Sequence, residues 1–152
     1  MREWMQGIFG IYLGLAVYQD IRRKSVPFVL FLVFGILGGV MRFGMLCREW
    51  TGIGEVLSGL LLGVMLLGLS HLSGQALGEG DGWFFLVSAC YLSAWENVTL
   101  FLGGLFLCAI ACLFLVVWGR FHGICMRKRR VAFLPFLLPV WFVMIVENLR
   151  RV

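Results

Sequence analysis

Long apolar stretches, each closed by a short polar or basic patch, make up this chain. Six can be marked: Trp4 to Tyr18, Pro27 to Leu46, Ile53 to Leu72, Trp83 to Trp95, Val98 to Trp118 and Val131 to Val146. A helix needs about 20 apolar residues to cross a bilayer. The second, third and fifth runs predict spans unaided. The first and fourth are short and would need thinned bilayer or flanking residues, and the fourth carries the weakest signal. The pattern predicts an all-α, polytopic bundle of about six transmembrane helices. Residues 1–152 are expected to form a single membrane-embedded domain.

Composition supports lipid as the solvent. Hydrophobic residues make up 61% of the chain and charged residues 14%, against about 45–50% apolar in soluble domains. A small domain keeps much of its surface in contact with solvent, so this excess cannot be hidden in one core. The 20 glycines would weaken helices in water but let helices approach closely in lipid. Gly59 and Gly63 form one G-x-x-x-G pair. Trp4, Trp50, Trp83, Trp95, Trp118 and Trp141 fall mostly near run ends, as an interfacial belt would place them.

The net charge of +5 does not point to nucleic acid, because the basic residues sit at run ends, where they face anionic headgroups and set topology. Eight of the 13 Lys and Arg fall in the connections 19–26, 73–82 and 119–130, which predicts a cytoplasmic side for those connections. The first run is expected to be a retained helix rather than a signal peptide. Its n-region has only Arg2, offset by Glu3, and the stronger cluster Arg22-Arg23-Lys24 follows it. The five cysteines include no C-x-x-C pair. Cys108 and Cys112 would share a helix face as packing residues.

The acidic residues divide into two groups. Glu3, Glu49, Glu55, Glu96 and Glu147 lie near run ends on the expected outer side and read as solvated interfacial charge. Asp20, Glu79 and Asp81 fall on the expected cytoplasmic side. Asp20 ends the first run and Asp81 stands immediately before the fourth. Two carboxylates brought to one membrane face can share a proton, one serving as base and the other as acid. That chemistry is peptide hydrolysis without a metal or cofactor. In Gly78-Glu79-Gly80-Asp81 the two glycines would allow unusual backbone angles and close approach of a substrate chain. His71 and His122 do not make a metal site, and Ser70 and Ser73 have no base in view.

Asp20, the basic stretch after it and Val26-Pro27, followed by Gly78-Glu79-Gly80-Asp81 after the third run, resemble the type IV prepilin peptidase family of intramembrane aspartic peptidases, which includes the archaeal preflagellin peptidases. Phe133-Leu134-Pro135-Phe136-Leu137 is similar to the Pro-Phe-x-Pro-Phe-Leu that opens that family's last core helix, with Ala132 in place of its first proline. The lysine often found shortly after the second aspartate is also missing. The resemblance implies catalytic Asp20 and Asp81, with Gly78, Glu79, Gly80, Pro27 and Pro135 shaping the site. It further implies a multi-pass cell-membrane location, a cytoplasm-facing site and a prepilin-like substrate cut after a short basic leader. The paired C-x-x-C motifs of the bifunctional, N-methylating members do not occur, so a peptidase-only form is expected. A small transporter or proton-relay protein would fit the composition equally well, but its carboxylates should lie nearer the bilayer midplane. For a structural or assembly subunit, both aspartates would be dispensable.

Overall fold

The computed structural model describes residues 2–23, 26–47, 53–72, 78–121 and 132–150. They form six helices and no strand: α1 (Arg2–Arg23), α2 (Phe28–Leu46), α3 (Ile53–Leu72), α4 (Glu79–Ser88), α5 (Ala94–Phe121) and α6 (Leu137–Arg150), the last entered through a 3-10 turn at Leu134–Phe136. Among the described residues three helices are long and apolar enough to cross a membrane: Phe28–Leu46, Gly54–Leu72 and Ala94–Phe121. This is a membrane protein with an all-α bundle fold. The 28 residues of α5 extend about 42 Å at 1.5 Å per residue, more than the ~30 Å of hydrocarbon.

The six runs are not six equal spans. The fourth run, Trp83 to Trp95, is not one helix. At 10 residues α4 covers about 15 Å, and the chain then turns through residues 89–93 before α5 begins. A capping box causes the break. The Ser93 backbone N–H and hydroxyl both donate to Glu96 Oε2 at 3.0 Å, and the Glu96 N–H returns a bond to Ser93 Oγ at 3.3 Å. Glu96 is thus a helix cap rather than a solvated charge. Its other oxygen accepts from Asn148 Nδ2 at 3.3 Å, tying the end of α6 to the start of α5. Glu55 near the start of α3 pairs loosely with Arg42 near the end of α2, 3.5 Å apart.

The interior is aromatic and centred on α4. Along α1 the buried positions are Met5, Phe9, Tyr12, Leu13, Ala16 and Val17, a 3.6-residue stripe that meets Phe84 of α4. The rings of Phe9, Tyr12, Phe84, Phe85 and Phe101 touch in sequence, alternating stacked, tilted and edge-on. Trp141 joins the cluster beside Phe9 and Gly10. Outward positions such as Leu61, Val64, Phe106, Leu113 and Phe114 are exposed, as a lipid-facing surface requires. Trp4, Trp95 and Trp118 are exposed at helix ends. Trp83 and Trp141 pack within the bundle instead, and Trp50 lies outside the described residues.

α3 and α4 make the most extensive helix–helix contact in the molecule, and missing side chains permit it. A Cβ on Gly63 would stand 2.7 Å from the Leu86 backbone, one on Gly82 2.7 Å from Leu67, and one on Gly59 3.1 Å from Ala89. The G-x-x-x-G pair is therefore a contact face. Behind it, Asn97 is fully buried. It accepts from Ser88 Oγ at 2.6 Å and donates to the carbonyls of Phe85 and Gly59 at 3.3 and 3.4 Å, bridging α3, α4 and α5. Among the described residues Cys47, Cys90, Cys108 and Cys112 are free thiols.

Candidate functional site

The buried stripe of α1 does not stop at Val17. One turn on, the same face carries Asp20, half-buried in the last turn of the helix. Its carboxylate accepts a hydrogen bond from the backbone N–H of Leu134, the first residue of the 3-10 turn. A helix start leaves its first N–H groups without internal partners, so this donor is available. Pro135 follows directly, half-buried at the start of that turn, where a missing N–H costs nothing.

Asp81 lies inside α4 rather than before it. Gly78 is the N-cap residue, and Glu79, Gly80 and Asp81 form the first turn. From there Asp81 shares a helix face with Phe84, Phe85 and Ser88, all buried, and of these Phe84 stacks on Tyr12 of α1. Its N–H donates to the Gly78 carbonyl at 3.0 Å. A Cβ on Gly78 would come within 3.4 Å of Asp81 Oδ2, which places the carboxylate over its own N-cap.

Gly78 and Gly80 do not adopt the unusual backbone angles expected of them. Gly78 is extended, with φ −64° and ψ 120°, and Gly80 is helical; any residue adopts these angles. What Gly80 supplies is room: among the described residues a Cβ there would meet nothing within 4 Å. Gly82, not singled out beforehand, is the glycine that packing demands. Glu79 is exposed. Pro27 is an exposed N-cap for α2, its carbonyl bonded to the Leu30 N–H at 3.0 Å. It shapes the entry of α2 rather than the aspartate cluster.

The two carboxylates sense each other. Burial, and then the negative charge of Asp20, push Asp81 up to about 7 from an ordinary 3.8. Burial also raises Asp20, while the Leu134 N–H opposes the rise. Burial and the neighbouring charge favour a proton on Asp81, while the Leu134 N–H favours the charged form of Asp20, so the two carboxyls are offset rather than equivalent. One residue before Asp20, Gln19 Oε1 is buried with no hydrogen-bond partner among the described residues, an acceptor that a donor from outside could satisfy. No group of three His, Cys, Asp or Glu able to hold a metal occurs among the described residues. His122, Cys125, Ser73 and the basic residues Lys24 and 127–130 lie outside the described residues.

Sequence reasoning missed the Leu134 donor, Gly82 and Asn97. Only Gly82 left a signal, as the third glycine of Gly78-Glu79-Gly80-Asp81-Gly82. Compared with protein-family models, curated proteins and solved structures, the chain matches none.

Proposed function

We propose that this protein is a membrane aspartic endopeptidase that removes a short basic leader from prepilin-like proteins at the cytoplasmic membrane face. The observation that carries the reading is the convergence of Asp20 and Asp81. They come from the end of α1 and the start of α4, and they lie close enough for one to raise the other's pKa. Water held between them loses a proton to ionised Asp20 and adds to the scissile carbonyl carbon, while protonated Asp81 donates to the carbonyl oxygen. The tetrahedral intermediate then collapses. Asp20 passes its proton to the leaving nitrogen as the C–N bond breaks, and Asp81 recovers its own. The Leu134 N–H favours the ionised form of Asp20 that the first step requires. Gln19 Oε1 is available to accept an N–H from the bound peptide.

A transporter or proton relay needs its carboxylates on a path through the bilayer. Here they lie together, at the ends of α1 and α4. The test is incubation of the purified protein with a prepilin-like substrate, followed by mass spectrometry. The expected products are a leader ending in a free carboxylate and a mature chain with a free, unmethylated N-terminus, formed equally well in EDTA. An intact substrate overturns the reading, as does cleavage lost in EDTA and restored by zinc.

A further inference from the structure

An apolar cleft of about 270 Å³ opens between α2 and α4. Phe28, Leu32 and Ile36 stand on one side of it, and Trp83, Val87 and Cys90 on the other. The three α2 side chains are exposed, so the cleft opens sideways toward lipid. Its α4 positions lie on the face of that helix opposite Asp81, which makes it separate from the aspartate pair. Continued at the same spacing of three to four residues, this face of α2 passes Gly39 and reaches Arg42. Among the described residues a Cβ on Gly39 would meet nothing within 4 Å, so the groove stays open between the cleft and Arg42. A Cβ on Gly38 would stand 2.9 Å from the Cys90 Cβ. Cys90 therefore abuts α2 one turn before Arg42, and the two side chains interact electrostatically.

The charges at this end select the occupant. Arg42 reaches across to Glu55 of α3, but the two groups stay 3.5 Å apart. The Arg42 side chain is 16% exposed and that of Glu55 62%, so the cation is drawn inward and the carboxylate faces out. A guanidinium in this position favours a phosphate, which it can hold through two N–H groups. The carboxylate beside it repels a headgroup of net negative charge and favours one that carries an ammonium group next to its phosphate. An ethanolamine headgroup meets both charges, phosphate on Arg42 and ammonium on Glu55. A glycerol headgroup leaves Glu55 facing the phosphate unmatched, and choline has no N–H to donate. The cleft walls are apolar and suit an acyl chain. From Arg42 back to Leu32 is ten residues, about 15 Å along the helix and half of the ~30 Å hydrocarbon, the depth that one acyl chain covers. We propose that this protein binds a phosphatidylethanolamine molecule, with its headgroup on Arg42 and Glu55 and one acyl chain in the cleft between α2 and α4. Bound there, the lipid braces α4, whose 10 residues are too few to span the bilayer.

The test uses the full-length protein in phosphatidylcholine nanodiscs. Each preparation contains a small share of one phospholipid with a diazirine in its acyl chain and an ethanolamine, glycerol or choline headgroup. After irradiation, mass spectrometry of proteolytic peptides compares labelling of the cleft, at 28–36 and 83–90, with labelling of the exposed α5 face around Phe106 and Leu113. The ethanolamine probe should label the cleft about tenfold more than it labels the α5 face, and about tenfold more than either other probe labels the cleft, each ratio corresponding to ~1.4 kcal/mol. Arg42→Gln and Glu55→Gln should each bring the ethanolamine probe down to the level of the other two. Glu55→Gln alters an exposed side chain, so that arm survives even where Arg42→Gln fails to fold. Gly39→Phe, whose side chain enters the open groove, should remove the excess labelling of the cleft. Cleft labelling no greater than that of the α5 face would show ordinary surrounding lipid and overturn the proposal. Equal labelling by the three headgroups, or a preference that survives Glu55→Gln, would overturn it as well.

Discussion

Tyr12 lies flat against Phe84, the ring centroids 5.0 Å apart and the planes 7° from parallel, and its hydroxyl donates to the Phe84 carbonyl at 3.5 Å. This stack fixes α1 against α4, and both aspartates sit on the helix faces it joins. Asp20 is two turns beyond Tyr12 and Asp81 one turn before Phe84. The position of one carboxylate relative to the other is therefore set by ring packing deeper in the bundle.

Tyr12→Ala should loosen that link. Truncating a buried aromatic ring costs about 3–5 kcal/mol, whereas Tyr12→Phe keeps the stack and gives up only a long hydrogen bond. Unfolding in detergent should show a large loss for Ala and less than about 1 kcal/mol for Phe. Equal losses would mean that the hydroxyl, and not the ring, joins the helices.

The glycines around α4 should separate cleanly. Gly63→Val drives a side chain into the Leu86 backbone, and overpacking of this kind costs about 1–3 kcal/mol. Gly80→Val enters open space, so it should leave folding and insertion intact and reduce cleavage by crowding the approach to Asp81. Thermal stability and cleavage rate, measured on both variants, check this. A Gly80→Val protein that cleaves at the parental rate would show that nothing approaches Asp81 from that side.

Asn97→Leu removes the partner of Ser88 and of two backbone carbonyls. Polar contacts between membrane helices are worth only about 0.6 kcal/mol on average and at most about 1.7. The loss on unfolding should therefore be smaller than for Gly63→Val. A larger loss would make this node, and not glycine-mediated approach, the main tie between α3 and α4.

The sequence carried much of the architecture. Apolar runs gave six helices, and two aspartates at run ends gave the pair. Ends were harder to read, because a helix continues past an apolar run wherever its hydrogen bonds continue. Thus α1 reaches Arg23 rather than Tyr18, and α4 begins at Glu79, taking Asp81 into its first turn. The division between α4 and α5 falls inside an apolar run, and Ser93-x-x-Glu96 marked it in polar residues that resembled an interface. Asn97 gave no sign of burial, since two of its side-chain partners are backbone carbonyls on α3 and α4. The Leu134 donor was illegible for the same reason: a backbone N–H has no identity in a sequence.

Stability should fall as pH rises through the pair's titration. Asp81 is raised from 3.8 to about 7 in the folded state, so the folded protein binds more protons than the unfolded chain between those values. The contribution is fully present below about pH 4 and is lost as pH approaches 7. Asp81→Asn should flatten that part of the stability–pH curve. An unchanged curve would place the titration elsewhere.

The central claim is that Asp20 and Asp81 act as one acid–base unit. Its most direct test is the initial rate of prepilin-like substrate cleavage by the parent, Asp20→Asn, Asp81→Asn and the double variant, at equal membrane abundance and across pH. Asn is nearly isosteric, so packing should survive. Each single change should remove the roughly 10²–10⁴-fold of a general acid–base step, and the double variant should be little worse than either, as for groups that work together. The parent's profile should be bell-shaped, its alkaline limb near pH 7 where Asp81 loses its proton. Substantial activity in either Asn variant, or losses that multiply in the double variant, would contradict the account.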